Sequence, residues 1–508
     1  MVVQASSTGD DRLIIALDFG TTFSGITYCF TNERDSSPTS IEYWPGSDGA
    51  GVPKIPTVIR YDSPVSFTWG AQVNRQDGGI VGVKLLLDPS QPRPKYLPEI
   101  NVEEELGKLP KSPVQVAADF IGAVYNHAMK EIGKKVSQDY VKLCRKVYVL
   151  SVPAVWSDAA KNSTLTAARA AGLSPVQLIK EPEAAALWTA KKLDVALHSN
   201  DAFVVCDAGG GTVDLISYQV EEIDPRLKLK ELVPGTGGMV GSLGLNQRFE
   251  CAVRKLVGER QWKNLQPSKA YQSAARQFDK EVKKYFQGKL EDDEDKGLES
   301  NTWTMTGEDV MAIFNPIIYD ILKLIDEQVE SVKLKLGGQN PKYIFLVGGF
   351  GSSQYLMSQV EAKYPGIQVL QPPDAWAAIA KGAAISGMET EATVTSSSST
   401  RHYGVEAWGI YEEDRDKGRP SRKGIDDVTR VEVMTWYIKI GEDLARGKTI
   451  RFPFFRSFAE GYTDSDLQYN IDTFRTNCTV VADLSKVPKE KFTRKTTEGK
   501  FTTIYAMI

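Results

Sequence analysis

A chain of 508 residues with 61 basic and 65 acidic side chains, net charge −4, has no cationic surplus to hold nucleic acid or an anionic membrane. Its 42% hydrophobic and 25% charged residues are ordinary for a globular protein, and at this length about two to four domain cores can form. No apolar run reaches the roughly 18 residues of a membrane helix, and Met1 to Arg12 lacks the basic-then-apolar pattern of a secretion signal.

In chain order, Leu13 to Phe30 reads as a strand, a Gly/Thr turn and a returning strand from Ile26. A second extended pair follows at Ile55 to Ile59 and Phe67 to Gly70. Pro110 and Pro113 precede a helical pattern over Val114 to Gly133, with apolar Val116, Phe120, Ile121 and Val124. Val147 to Val152 is a strand that Pro153 ends, and Ser157 caps an alanine-rich helix closing at Gly172. Val176 to Ile179 is a further strand that delivers Lys180-Glu181-Pro182 to its C-terminal end, the end at which open α/β sheets bind ligands. A helix follows from Glu183.

Residues 245–336 are mainly helical by pattern, interrupted by the acidic run Glu291 to Asp295, read as a solvated loop in preference to a contact for a basic partner. Ile344 to Gly349 is a third strand-plus-glycine unit, and Asp374 to Met388 is helix-compatible. Thr393 to Thr400 reads as a flexible Ser/Thr linker. Beyond it the periodicity shortens toward two, as in Val431 to Ile440 and Thr449 to Phe454, so 401–508 is expected to be β-rich.

Two segments repeat one another: Leu13 to Thr22 and Phe203 to Thr212. Each is an apolar strand, then Asp, a variable residue, Gly and a Gly/Thr turn. A single such run is as often a tight turn after a buried strand; two of them, with Gly348-Gly349, point to phosphate. Glycine permits close backbone approach, successive N–H groups make an anion-binding concavity, and Thr21 and Thr22 add hydroxyls. Asp18 and Asp207 sit at strand ends where they can face one hydrated magnesium ion. Neither a P-loop nor a dinucleotide fingerprint occurs in the required context. Five scattered cysteines fit a reducing compartment, and three histidines without metal-ligand spacing argue against zinc.

These residues resemble the heat shock protein 70 family, within the actin-like ATPases. Ala16 to Thr22 resembles its first phosphate motif, Cys206 to Asp214 its second, and Val152 to Ala154 with Lys180 to Ala186 its connecting segment. Ile344 to Ser352 resembles its adenosine motif, and Pro373 to Ala384 the helix after it. The resemblance spans 13–388 in the family's order. It implies an α/β, two-lobed actin-like ATPase domain over 13–389, with lobes of about 13–200 and 201–389. A linker over 390–400 and a small β-rich domain over 401–508 would follow. It further implies ATP or ADP with Mg2+ in the cleft. Asp18 and Asp207 would hold the metal's waters, and Gly20, Thr21, Thr22, Gly209, Gly210 and Gly211 the phosphates. Glu181, Thr212 and Asp214 would surround the attacking water, and Gly348, Gly349, Ser352, Asp374 and, more loosely, Lys283 the nucleoside.

The sequence departs from the family in four places. The stretch Trp69 to Arg75 has no lysine where the family keeps a catalytic one, leaving Arg75 or Lys84 as substitutes. The leucine-rich interdomain linker is replaced by the Ser/Thr run, and Gly241 to Asn246 lacks acidic residues. The chain stops at Ile508, which leaves no length for a helical lid. The resemblance thus implies a cytoplasmic, monomeric protein that binds protein clients or co-chaperones and hydrolyses ATP slowly. A nucleotide-binding pseudoenzyme switch and an actin-like small-molecule kinase are the alternatives.

Overall fold

The computed structural model describes residues 11–459 and, beyond them, 492–498 and 501–507. Within the first span it omits 32–36, 48, 50, 74–77, 89–106, 108, 193–196, 225, 289–297, 300–301, 304, 389–391, 400–401, 425, 440 and 446–452. The acidic run and Arg75 therefore lie outside the described residues. The chain divides into two units, Met1–Thr395 and Ser396–Ile508.

The first unit is mixed α/β and contains two sheets of the same plan. In the first, β1 (Arg12–Phe19) pairs antiparallel with β2 (Phe23–Phe30), which also takes β3 (Thr39–Ser40) and β4 (Ile55–Pro56). On its other side β1 runs parallel to β5 (Arg145–Val152), and β5 parallel to β6 (Val176–Lys180). In the second, β7 (Ala202–Ala208) pairs antiparallel with β8 (Val213–Glu222), and β8 with β9 (Leu227–Gly238). On its other side β7 runs parallel to β10 (Tyr343–Val347), and β10 to β11 (Gln368–Leu370). The duplication in sequence is thus a duplication of sheets, as an actin-like ATPase fold requires.

Helix boundaries follow local chemistry. α1 (Pro113–Lys135) opens with proline at its first position and a Ser112–Gln115 capping box. α2 (Asp158–Ala170) starts where the Ser157 hydroxyl accepts from the Ala160 N–H. α3 (Glu181–Lys192) begins directly at the end of β6, two residues earlier than its alanine run suggests. α4 (Ser242–Val257) and α5 (Gly307–Lys335) cover the second sheet, and α6 (Ala378–Met388) closes the unit. Among the described residues no helix is long and apolar enough to cross a membrane.

The central strands are apolar on both faces because each is buried on both. Leu13, Ile15 and Leu17 point to α1 and α2, packing with Phe120, Ile121, Ala160 and Ala167. Val204 and Cys206 point to α5, packing with Phe314 and Ile321. The alternate residues, Ile14, Ala16 and Val149 from one sheet and Phe203, Val205, Ile216 and Phe345 from the other, share a third core. Ala184 to Leu187 of α3 and Ala383 to Ile385 of α6 complete it.

The segment expected as a flexible linker is in large part β12 (Ala392–Ser398). Val394 is buried, and the Thr395 hydroxyl donates to the Leu229 carbonyl of β9. Its consecutive β-branched residues, Thr393 to Thr395, suit pairing against an existing strand, so composition alone overstated its freedom. The second unit is β-rich. Strands 403–410, 429–438 and 421–423 form one antiparallel sheet, and 453–459, 501–507 and 492–498 another.

Candidate functional site

Side chains alternate across a strand, so a residue two beyond a shared-core position faces the same way. Asp18 continues the row of Ile14 and Ala16; Ser151 continues Val149. Asp207 continues Phe203 and Val205; Asp214 lies in the row of Ile216 and Tyr218. The apolar rows between the two sheets therefore end in acids. Glu181 joins them from the first turn of α3, because β6 carries the chain to the same edge.

All four carboxylates are buried, Asp18 and Asp214 to 1% exposure, Asp207 to 4% and Glu181 to 6%. Two ammonium groups meet them. Lys84 Nζ lies 2.5 Å from Glu181 Oε1, and Lys54 Nζ lies 2.6 Å from Asp18 Oδ2. The Ser151 hydroxyl donates to Asp18 Oδ1 at 2.8 Å. Burial works against Asp18 ionising, but Lys54, Lys84 and the Ser151 hydroxyl hold its carboxyl below the usual range. Burial pushes Glu181 up to about 7 despite Lys84, with Asp18 and Asp214 adding to the rise. Burial likewise pushes Asp214 up to about 6, against the Thr212 hydroxyl, Lys84 and the N–H groups of Ala154 and Val155. Asp207 stands well above its ordinary value through burial and the charges of Glu181 and Asp214.

The two Gly/Thr turns meet at this edge. A Cβ on Gly210 would lie 2.4 Å from Thr22 Oγ1, so the loops of the two sheets touch and only glycine fits. The Gly209 N–H donates to the Thr212 carbonyl, which closes the second turn. The N–H groups of Ser242 and Leu243, at the start of α4, donate to the carbonyls of Gly209 and Gly210. That contact accounts for the Gly241 to Asn246 segment: it buttresses the loop through backbone and needs no acid there. Gly20, Thr21 and Thr22 lie half-buried between β1 and β2.

At the corner expected to hold a nucleoside, the Gly348 N–H donates to the Ala375 carbonyl, and Gly349 lies against Trp376. Trp376 meets Phe23, the residue after Thr22, edge-on with centroids 5.5 Å apart. The Ser352 hydroxyl donates to the Gly349 carbonyl at 2.7 Å. Asp374 is exposed and pairs with Lys381, and Lys283 is buried and pairs with Asp279. The acids, both turns and the Gly348-Gly349 corner thus come together, whereas Lys283 and Asp374 are engaged in local ion pairs.

Two residues alter the sequence reading. Lys84, one of the two substitutes considered for the lysine that the Trp69 to Arg75 stretch lacks, is placed beside Glu181 by a short 3-10 turn, Val83–Leu87. Lys54 was not foreseen at all. It is a lone cation between Pro53 and Ile55, with no motif to mark it.

The site suits a divalent cation with phosphates. Four carboxylates face two ammonium groups, an excess of negative charge that such an ion would neutralise. Asp214 Oδ1 is buried without a hydrogen-bond partner. Among the described residues no three acidic, histidine or cysteine side chains converge to ligate an ion directly.

A family model described as "Hsp70 protein" matches residues 93–222. The chain is 24% identical over 549 residues to heat shock 70 kDa protein 12A of Mus musculus, covering 86% of this chain and 78% of that one. It is 23% identical over 496 residues to heat shock 70 kDa protein 12B of Homo sapiens, covering 76% and 70%. Against chaperone protein DnaK of Burkholderia cenocepacia it is 26% identical over 270 residues, covering 48% of this chain and 37% of that one.

Proposed function

We infer that the chain, which belongs to the heat shock protein 70 family, binds ATP at the edge where its two sheets meet and hydrolyses it to switch its hold on protein partners. The observation that carries this reading is the convergence of Asp18, Glu181, Asp207 and Asp214 with Lys84 beside two touching Gly/Thr turns. Gly20 to Thr22 and Gly209 to Gly211 are suited to bind phosphate through backbone and hydroxyl donors. Asp18 and Asp207 would hold magnesium through its waters, and the ion would supply positive charge to the phosphates. Glu181, held by Lys84, is suited to accept the proton of an attacking water, with Thr212 and Asp214 orienting that water. The Lys84 ammonium group, placed beside Glu181, would favour charge developing on the transferred phosphoryl group. Phosphoryl transfer needs little beyond such positioning and charge.

Calorimetry and single-turnover hydrolysis on wild type and Lys84→Ala test the reading. Wild type is expected to bind ATP and turn it over. Lys84→Ala is expected to retain binding and lose about 10²–10³ in rate, the usual cost of one preorganised group. Binding without hydrolysis in wild type would leave the pseudoenzyme switch standing instead. Turnover only with an added small phosphate acceptor would indicate the kinase. A partner that binds differently with ATP and ADP is the expected readout of the switch.

A further inference from the structure

We propose that Lys54 is a built-in counter-cation for Asp18, so that nucleotide binding by this chain depends only shallowly on added divalent metal. The inference rests on the ATP reading above and concerns the same site.

The placement of Lys54 is constructed by the fold. Residues 53–57 lie along β2, the return strand of the first phosphate hairpin. Ile55 pairs with Ser24 and Pro56 with Phe23. The Thr57 N–H donates to the Thr22 carbonyl at 2.8 Å, and the Ser24 and Thr57 hydroxyls lie 2.8 Å apart. Within the hairpin, Asp18 stands opposite Gly25. A Cβ on Gly25 would lie 3.0 Å from Lys54 Cγ and 2.5 Å from the Pro53 carbonyl. The lysine stem therefore crosses β2 through the gap that Gly25 leaves and reaches the acid on the strand behind.

The ammonium group arrives in a place closed to water. Lys54 is 7% exposed and Asp18 1%. An isolated ammonium buried there would be costly, and only a close carboxylate repays it, so the pair forms as a unit. Asp18 Oδ1 then accepts from the Ser151 hydroxyl, while Oδ2 stands in the ion pair with Lys54 and, like Asp214 Oδ1, accepts no hydrogen bond. Asp207 makes no ion pair among the described residues. The two aspartates of the repeated motif are therefore not equivalent. At Asp18 an ammonium group stands in direct contact, whereas at Asp207 the Lys54 charge acts only from a distance, against burial and the neighbouring acids. In a site of low dielectric, an Asp18 already balanced by Lys54 repels an incoming phosphate less than a bare carboxylate would, which leaves less for an added ion to neutralise.

Titration of the full chain with ADP, in magnesium and again in EDTA, is the test. The affinity of wild type is expected to change by less than about fivefold on chelation. That of Lys54→Met is expected to change by about fiftyfold or more, both within the ordinary range of coupling between two ligands. Lys54→Arg, which keeps the charge, is expected to stay near wild type. Magnesium alone should raise the melting temperature of Lys54→Met and leave that of wild type nearly unmoved. A fiftyfold loss in wild type, or equal dependence in wild type and Lys54→Met, overturns the assignment. If Lys54→Met does not fold, the wild-type ratio decides alone. Binding with steep metal dependence defeats only this inference; no binding in either buffer defeats the ATP reading and this inference with it.

Discussion

Glu181 has the properties of a general base held near its working point. Its carboxyl is pushed up to about 7 by burial and by Asp18 and Asp214, and Lys84 limits the rise. A base works when ionised, so the single-turnover rate is expected to climb as pH rises through about 7 and to level off above it. Glu181→Gln should abolish both the rate and its climb. Stability has the opposite slope. Because the folded value exceeds the 4.5 of an ordinary glutamate, the folded state holds its proton longer than the unfolded chain does. The contribution of Glu181 is thus favourable to folding at low pH and is lost as pH rises from about 4.5 to 7. Thermal melts of the nucleotide-free protein across that window measure it. A rate independent of pH between 6 and 8, at retained ATP binding, would remove Glu181 from the role of base.

At the scale of elements, the two Gly/Thr turns depend on a fit between two hairpins. A Cβ on Gly210 would be 2.6 Å from Thr22 Cγ2 as well as 2.4 Å from its Oγ1. Gly210→Val is therefore expected to separate the turns and to weaken ATP binding by about tenfold or more, one such factor being about 1.4 kcal/mol. Calorimetry with unaltered affinity in this variant would show that the turns do not form the phosphate site. Both turns were legible in the sequence because they rest on local chemistry: a strand, an acid, and glycine where the backbone must bend. The strand edges and the helix from Asp158 were legible for the same reason. Lys54 was not, because its partner lies on another strand and the contact exists only once β4 pairs with β2. Lys84 is 97 residues from Glu181, and nothing local distinguishes it from a surface lysine. The helix expected from Asp374 begins instead at Ala378, since the Ala375 carbonyl is taken by the Gly348 N–H.

For the whole molecule, the site belongs to one unit. Every side chain placed in it, from Asp18 to Trp376, lies before the division at Thr395 and Ser396. The two sheets are joined by a shared core to which α3 and α6 contribute alanines, and the last residue of this core, Val394, precedes Thr395. Leu229 of β9 and Glu221 of β8 are both hydrogen-bonded by the Thr395 hydroxyl, so a chain ending at Thr395 still keeps that strand in place. Residues 1–395 produced alone are therefore expected to fold cooperatively and to bind ATP within about threefold of the full chain, a difference of well under 1.4 kcal/mol. The fragment should also reproduce the magnesium dependence of the full chain, because Lys54, Asp18 and Asp207 are all within it. Partner binding is expected to need residues 396–508, the β-rich unit, and so to be lost. Denaturation monitored with and without ATP, beside calorimetry, measures both properties. A fragment that folds but binds ATP tenfold or more weakly would mean that the second unit completes the nucleotide site.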